Sequence, residues 1–426
     1  MGRVLPAVRA CASSITALGF AFTFSATAAA QVSPTRSEIT RAVTRAEAVA
    51  SALARSPRHT FARADVASAS AQLSVARQYE NPALTTAYSA SAPRVHVTLD
   101  VPFDWPSVRA PRIAAARAQL GAATVRLQLS DVLLAFDTDT AYTRAQTLNA
   151  QAGLIATTAR DVDSVLALAR LRRDAGDASD LDVEIATVSA GQMANAAVTA
   201  FASAAAAILR LQRLMGVPVD SVHIVLADSM PLAAQAMPAT RASIPDVAHG
   251  VALPVAVADL DVRAAEAHAT LERRKNIGAP ALALGVEAVN PGGAGGALPL
   301  IGVRVPLPLF NRNRAAIASA DADLQRGRTQ LRQAQLEQQF DVRLAQTDAL
   351  AARTRVEHSL RLLASAERVG ALSLLAYREG ATTLVNVLEA QRAAREARAQ
   401  LLDDMAAVQI AERLQQLLSL RLPPTL

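Results

Sequence analysis

The stretch Val-Pro-Phe-Asp-Trp-Pro-Ser-Val-Arg-Ala-Pro-Arg-Ile-Ala-Ala-Ala at residues 101–116 recurs as Val-Pro-Leu-Pro-Leu-Phe-Asn-Arg-Asn-Arg-Ala-Ala-Ile-Ala-Ser-Ala at residues 305–320. Each copy ends a strand, turns on prolines and opens a long helix. The offset of 204 residues recurs downstream, where Gly176 corresponds to Gly380. A repeat that keeps register over about 85 residues indicates a duplicated structural unit.

The N-terminus has the pattern of a secretory signal peptide. Arg3 and Arg9 give a positive start, residues 13–26 are apolar, and small residues at 28–30 precede Gln31. Residues 1–30 are therefore predicted to be removed on export. No later stretch holds about 20 uninterrupted apolar residues, so no transmembrane helix is expected after it.

The composition excludes several classes of protein. The chain is 51% hydrophobic but only 3% aromatic, which suits helices packed through Ala and Leu. Its net charge of +6 is nearly all arginine interleaved with acids, so a nucleic-acid-binding role is not indicated. The six histidines are scattered without metal-ligand spacing, and no Gly-rich phosphate loop precedes a helix. We therefore expect no enzyme activity, no cofactor and no metal site.

Helices and strands alternate in the same order in both halves. In residues 31–216 the pattern predicts a helix from Glu38 to Tyr79 broken at Pro57, then a β-hairpin at about 83–102. A helix from about Pro111 to Leu171 and a return helix to Met215 follow. Residues 217–243 form a linker of low periodicity, within which 223–227 suggest a short strand.

The second repeat spans residues 244–426. Its first helix contains Pro254, and its hairpin lies at about 281–306 around a Gly-rich loop. A long helix then begins near Arg314, turns at 377–380 and returns to about Leu420. The predicted fold class is mainly α with a small β part.

The strands predict two-faced sheets. In residues 94–101, Val95, Val97, Leu99 and Val101 alternate with Arg94, His96, Thr98 and Asp100. This suits a membrane barrel strand, and by periodicity alone a half-buried strand of a soluble sheet equally well. Four strands cannot close a barrel, and lipid does not tolerate open edges, so in a membrane several chains would have to share one barrel.

Aromatic and basic residues gather where strand meets helix. Phe103, Trp105 and Phe310 would lie at a membrane interface, with arginines reaching lipid phosphates. These arginines are Arg109, Arg112, Arg312 and Arg314. Plain turn packing and helix initiation explain the same residues equally well.

The chain resembles the TolC family of outer-membrane efflux proteins, and within it the branch that serves heavy-metal and multidrug pumps. The resemblance rests on the signal peptide, the tandem repeat, the motif at 305–314 and Tyr-x-x-Gly-x-x-x-Leu-x-x-Val-Leu-x-Ala-Gln at 377–391. It implies a homotrimer of long antiparallel helices with a 12-stranded barrel in the Gram-negative outer membrane and a 12-helix periplasmic tunnel. It also implies docking to a periplasmic adaptor and an inner-membrane pump.

The resemblance also implies a gate near the helical turns. Asn386 and Glu389 occupy the positions of the acidic side chains that narrow the periplasmic entrance, and Asp182 is the equivalent of Asn386 in the first repeat. Because Asn386 is not an acid, cation attraction is expected to be weaker than with two acidic rings. The simpler interpretation of Glu389 is a surface acid paired with Arg392. The candidate adaptor contacts, which also suit plain turn chemistry, are Asp174, Gly176, Asp177, Arg378 and Gly380.

Three functions remain open at this stage. The first is a passive export duct for metal cations or small toxic compounds. The second is a periplasmic coiled-coil scaffold or adaptor that never enters a membrane. The third is an outer-membrane duct for type I protein secretion.

Overall fold

The computed structural model describes residues 40–91, 93–104, 106–219, 223–228, 230, 250–275, 280–288 and 296–422. The predicted signal peptide, Trp105, most of the predicted linker and the Gly-rich loop lie outside these residues.

Four long helices form two antiparallel pairs, α3 (Pro106–Asp174) with α4 (Asp180–Leu214) and α6 (Arg314–Arg378) with α7 (Leu384–Ser419). With 69 residues, α3 is about 100 Å long. The pairs meet where α3 packs on α7. Their buried positions are mostly alanine, which allows close approach of the helices.

The start of α3 corrects the sequence prediction. The helix begins at Pro106, and Pro111 lies inside it. Pro106 supplies the fixed backbone angle that suits a first helical position. Pro111 follows so closely that its missing N–H removes a bond only near the frayed end of the helix.

Three shorter helices precede the hairpins: α1 (Arg45–Arg55), α2 (Pro57–Arg77) and α5 (Leu253–Arg274). The predicted break at Pro57 is confirmed, since Ser56 is extended and Pro57 opens α2. In the second repeat Pro254 lies in the first turn of α5, so it starts that helix instead of breaking it. Near the hairpins, α2 packs on α3, α3 on α5 and α5 on α6.

Two small sheets connect the beginning and end of each half. Strand β1 (Thr40–Val43) pairs in parallel with β4 (His223–Leu226), and β5 (Val251–Ala252) pairs antiparallel with β8 (Arg421–Leu422). Of these four strands only β4 is predicted from the sequence. Strand β1 takes up residues that the sequence analysis placed in the helix from Glu38, and β5 and β8, with two residues each, are too short to show alternation. We call these two sheets the clasps.

The first clasp is fixed to α3 through Tyr142, which is fully buried. Its hydroxyl lies 3.1 Å from the Val43 carbonyl oxygen and 2.9 Å from the Asp228 carboxylate. Burial, reinforced by the neighbouring Asp228 carboxylate, raises the pKa of Tyr142 to about 12. The phenol therefore stays protonated and remains a hydrogen-bond donor.

The main sheet has four antiparallel strands in the order β2-β3-β6-β7, and they lie within the predicted hairpins. They span Ala83–Tyr88 (β2), Val95–Pro102 (β3), Ala281–Ala288 (β6) and Leu298–Arg304 (β7). The two hairpins meet where β3 pairs with β6.

The pairing register of the main sheet gives it one apolar and one polar face. Leu84, Leu99, Leu284 and Ile301 form one row across the four strands. All four are exposed, Ile301 to 77%. The opposite face carries the row Thr85, Thr98, Gly285 and Leu300, and its charged side chains lie in neighbouring rows. A sheet with an uncovered apolar face needs an apolar surrounding.

Candidate functional site

The two helical turns have the same backbone geometry. Gly176 and Gly380 have positive φ angles of 84° and 74°. In each turn the N–H of the glycine bonds a carbonyl three residues back, and the next N–H bonds one five residues back. This is the Schellman ending, which glycine adopts without steric cost. The predicted importance of these two glycines therefore has a structural basis whatever else they do. We call the segments 172–179 and 376–383 the first and second tips.

Arg172 joins the two tips directly. Its Nη1 donates to the Tyr377 carbonyl oxygen at 2.9 Å, and its guanidinium carbon lies 4.8 Å from the centre of the Tyr377 ring. Its Nη2 is 3.4 Å from the Asp177 carbonyl oxygen. The Arg172 side chain thus joins the two tips through charge-assisted hydrogen bonds to backbone carbonyl oxygens and through a cation–π contact with the Tyr377 ring.

An apolar seam lies immediately behind the tips. Val183 and Val387 occupy equivalent positions in the two repeats, and both are buried there with Leu384 and Tyr377. Tyr377 is 4% exposed, and within the described residues its hydroxyl has no hydrogen-bond partner. The ring therefore acts through packing and through Arg172.

The predicted gate residues lie on the first turns of the return helices. Asn386 and Glu389 are exposed on α7, and the Asn386 amide donates to the Thr382 hydroxyl at 2.9 Å. Arg392 forms its ion pair with Glu396 at 2.8 Å, and Glu389 acts on Arg392 through its charge, which adds to the rise in the pKa of Arg392. The interpretation of Glu389 as an ordinary surface acid therefore stands beside the gate.

Asp182 has a structural task of its own. Its carboxylate accepts from the N–H and the hydroxyl of Ser179, and its N–H donates to that hydroxyl, which completes a capping box at the start of α4. The charge is retained, but the carboxylate is held at the helix start and is less exposed than Glu389.

The other predicted tip residues form the exposed outer surface of the turns. Asp174 pairs with the adjacent Arg173 at 2.7 Å, and Asp177 and Arg378 are exposed. The Asp174 carboxylate raises the pKa of Arg173, first through the hydrogen bond and then through its charge. The two tips therefore present a mixed-charge surface beside the two glycines.

The first strand–helix junction is closed by arginines. Asp104 accepts from Arg112 Nη2 at 2.6 Å and lies 3.1 Å from Arg109 Nε. Both arginines also donate to the last carbonyls of α2, and Arg109 lies over the Tyr79 ring. Arg109 and Arg112 are thus engaged by groups of the chain itself, in contrast to the expectation that they reach lipid phosphates.

The second junction is closed differently. Asn313 adopts a left-handed conformation, and its amide donates to the backbone and the carboxylate of Glu272, which also accepts from Lys275. Phe310 is fully exposed, and Arg312 and Arg314 are exposed. In this junction the aromatic and basic side chains remain available for an interface, whereas Phe103 of the first junction is half-exposed.

We predict that Glu272→Gln destabilises the protein by about 1–3 kcal/mol near neutral pH, because Glu272 is 7% exposed and its bonds are charge-assisted. Burial by itself raises the pKa of Glu272, but the hydrogen bonds from Lys275 and Asn313 outweigh it and lower the pKa. A carboxyl group with a lower pKa in the folded than in the unfolded protein stabilises the fold fully at a pH above its unfolded pKa. That stabilisation is lost as the pH falls through its folded pKa.

Thermal unfolding of the detergent-solubilised protein from pH 7 to pH 3 measures this effect. The difference between wild type and variant should shrink toward pH 3. Glu266→Gln on the same helix is the matched control, because Glu266 pairs with Arg328 on the surface and such pairs contribute little. Equal losses in the two variants would contradict the prediction.

The polar face of the main sheet carries paired charges. His96 Nδ1 lies 3.1 Å from a Glu287 carboxylate oxygen, and Arg304 pairs with Asp100 at 2.8 Å. Asp100 is buried, and one of its oxygens has no hydrogen-bond partner among the described residues. These pairs make the face suited to line water.

Among the described helices, α4 is long and apolar enough to cross a membrane by length and composition. Only 17% of its most apolar stretch is buried. It runs beside the charged helix α3 along its length, so a bilayer that received α4 would also receive those charges. No group of three metal-ligating side chains occurs within the described ranges.

Sequence reasoning missed Arg172 as a functional residue. Tyr377 appears in the quoted motif, but its partner lies 205 residues away and belongs to the other repeat. The sequence offers one clue to this contact, which is the alignment of the two repeats. Offset by 204 residues, Tyr377 aligns with Arg173, so the two tips are not equivalent in their side chains.

A family model described as "Outer membrane efflux protein" matches residues 48–217 and 252–419. The two matched segments begin 204 residues apart, which is the offset of the sequence repeat. No curated protein matches the chain.

Solved structures share its fold. One is the outer membrane protein VceC from Vibrio cholerae, with a TM-score of 0.71 and 18% identity over 88% of this chain and 96% of that one. Another is the CmeC outer membrane channel of Campylobacter jejuni, with a TM-score of 0.72 and 11% identity over 88% and 85%. A third is the open state of the MtrE outer membrane channel of Neisseria gonorrhoeae, with a TM-score of 0.66 and 16% identity over 88% and 88%.

Proposed function

Because the chain belongs to the outer membrane efflux protein family, we propose that it forms the passive exit duct of a tripartite efflux system. In this proposal three copies share a 12-stranded barrel in the Gram-negative outer membrane and a 12-helix tunnel in the periplasm. The residues named below support each part of it.

The main sheet carries the proposal. It has an exposed apolar face, a polar face with paired charges and two outer strands that no other described strand covers. Four strands are too few to close, and edges without partners are excluded from lipid. Copies of the chain arranged in a ring supply the missing strands and place the apolar face against lipid.

The long helices support the same arrangement. Helices α3 and α7 pack on each other within the chain, so α4 and α6 are the outer members of the two pairs. Both carry exposed apolar side chains, including Val188, Val198, Phe340 and Leu372. Packing α4 of one copy on α6 of the next covers these residues and explains the low burial of α4 without a membrane.

The tips are the proposed contact with a periplasmic adaptor, through which the duct would meet an inner-membrane pump. Asp174, Asp177 and Arg378 offer polar groups there, and Gly176 and Gly380 allow close backbone approach. Phe310, Arg312 and Arg314 are the proposed contacts with the lipid interface, supported by their exposure at the second junction.

The proposed cargo is metal cations or small toxic compounds, as in the heavy-metal and multidrug branch that the sequence resembles. In a trimer, Glu389 contributes a ring of three carboxylates near the entrance, with Asn386 one turn away and Asp182 nearby. A carboxylate ring favours cations and disfavours anions.

We predict that Glu389→Gln lowers the cation-to-anion permeability ratio of the channel at least about twofold, because it removes the whole ring. Reversal potentials in planar bilayers under a salt gradient measure the ratio. Glu396→Gln on the same helix is the control, since Glu396 is held by Arg392. An unchanged ratio in Glu389→Gln, or an equal change in the control, would remove Glu389 from the gate.

Fractionation tests the function as a whole. We expect a trimer in outer membranes that dissociates on heating, ion conductance in planar bilayers, and increased sensitivity to metals or toxic compounds on deletion. A soluble periplasmic chain would support the scaffold alternative instead. Loss of a secreted polypeptide on deletion, with unchanged sensitivity, would support type I secretion.

A further inference from the structure

We propose that β7 of one copy pairs antiparallel with β2 of the next copy in a defined register, with Ile301 opposite Tyr88 and Gly302 opposite Ala87. The partner is a second copy of this chain. The inference rests on the proposed function, in which several copies share one barrel, and it specifies the joint between them.

The two strands concerned are the outer strands of the main sheet. The order β2-β3-β6-β7 leaves one side of β2 and one side of β7 without a partner in the described part of the chain. Every residue of β2 is exposed, and Ile301 and Val303 of β7 are among the most exposed apolar residues of the sheet. Both edges are thus free for pairing.

The internal repeat relates the four strands numerically. The offset from β2 to β6 is 198 residues, since Ala83 and Ala281 begin the two strands, and the offset from β3 to β7 is 204 residues. The registers obey these offsets. Ala83 pairs with Asp100 in the first hairpin. Adding 198 to the first number and 204 to the second gives residues 281 and 304, and Ala281 pairs with Arg304 in the second hairpin. The remaining pairs of the two hairpins correspond in the same way.

The register of the joint between the hairpins can therefore be transferred to the joint between copies. The close spacing at Gly285 is not transferred, because its counterpart is Ala87, whose Cβ requires a wider gap between the two strands. Inside the chain β3 pairs with β6, with Val97 opposite Val286. Adding 204 residues to the first and subtracting 198 from the second places Ile301 opposite residue 88 of the next copy, which is Tyr88. The Phe103 N–H bonds the Pro280 carbonyl at 2.7 Å, and its counterpart is Leu307 N–H to the carbonyl of Pro82 in the next copy.

The transferred register keeps the two faces of the sheet consistent. Ile301 and Tyr88 both lie on the apolar face, and Gly302 and Ala87 both lie on the polar face. A slip by one residue would put each apolar side chain against the wrong face. The row of paired residues that starts at Leu84 crosses the sheet to Ile301 and continues to Tyr88 of the next copy. The row therefore shifts by four residues along β2 for every four strands. This shift corresponds to a strand tilt of about 35°, which suits a membrane barrel.

Disulfide trapping in outer membranes tests the register. The one native cysteine, Cys11, lies in the predicted signal peptide, so the exported chain needs no further replacement. Ala87→Cys is combined in turn with Leu300→Cys, Gly302→Cys and Arg304→Cys. These three partners share the polar face, so they differ only by slips of two residues. A Cβ at Gly302 meets only the Ala283 Cβ at 3.8 Å, so cysteine fits there. We expect a covalent dimer to form fastest, by at least about fivefold, with Gly302→Cys.

Other outcomes separate the register from the function. Preferred cross-linking of Ala87→Cys to Leu300→Cys or Arg304→Cys in a membrane trimer overturns the register and leaves the shared barrel standing. A membrane trimer with no cross-link in any pair overturns edge pairing of β7 with β2. A soluble monomer overturns the proposed function itself. Where Gly302→Cys fails to assemble, Thr85→Cys with Arg304→Cys tests the next pair of the same register.

Discussion

Replacing Arg172 by alanine is expected to open the resting channel. In the proposed trimer the tips converge on the periplasmic entrance, and Arg172 ties the first tip to Tyr377 of the second through a 2.9 Å hydrogen bond and a ring contact. The change removes a charge-assisted hydrogen bond and a cation–π contact, together about 2–5 kcal/mol. Such a change shifts a two-state equilibrium by roughly 30-fold or more.

The measurement is the fraction of time that single channels conduct in planar bilayers, together with leakage of a bulky antibiotic into cells. Arg173→Ala is the matched control, because this neighbour pairs with Asp174 on its own tip. Tyr377→Phe is a second control. It keeps the ring and the carbonyl and removes a hydroxyl that, in the described chain, bonds nothing. If Arg172→Ala and Arg173→Ala conduct alike, the tie between the tips has no part in gating.

Replacing Gly285 by alanine is expected to prevent assembly of the barrel. Gly285 lies in β6 opposite Thr98, at the joint where the two hairpins meet. An added Cβ would lie 2.5 Å from the Val97 carbonyl oxygen and 3.2 Å from the Thr98 Cα. Those atoms belong to the backbone, so the two strands would have to separate. Overpacking of this kind costs about 1–3 kcal/mol in each copy.

The amount of heat-modifiable trimer in outer membranes measures assembly. Gly296→Ala is the control, because Gly296 lies just before β7, outside the paired strands, and an added Cβ there meets no described atom within 4 Å. We expect wild-type levels of trimer for Gly296→Ala and severe loss for Gly285→Ala. Normal assembly of Gly285→Ala would show that the joint yields more easily than its backbone contact indicates.

The long elements of the fold could be predicted from the sequence because their signals are local. Proline-free runs rich in alanine predict the helix pairs, and alternation over eight residues predicts β3. The prediction of a helix from Glu38 was wrong at its start, because residues 40–43 form β1, and the partner that fixes this strand, β4, lies across the first repeat. The start of α3 was misplaced because Pro106 and Pro111 are both plausible helix openings, and only the first acts as one.

The candidate site was predictable only in part. The glycines of the tips follow from turn chemistry, and Glu389 from a motif. Asp182 is an acid in the first turn of a helix, where acids commonly form a capping box. Its hydrogen bonds with Ser179 show that it has this capping role. Arg172 had no local signal, because its meaning depends on a contact between residues far apart in sequence.

The two clasps bear on the origin of the molecule. Each half of the chain is fastened at its own ends, by β1 with β4 and by β5 with β8. A polypeptide with one half alone would own a hairpin, a helix pair and a clasp, and six such subunits would present as many strands as three of the present chains. Gene duplication in such an ancestor would place every second contact between subunits inside a single chain. Those contacts would then form independently of the protein concentration. It would also free the halves to diverge, as Arg173 and Tyr377 have done at one equivalent position.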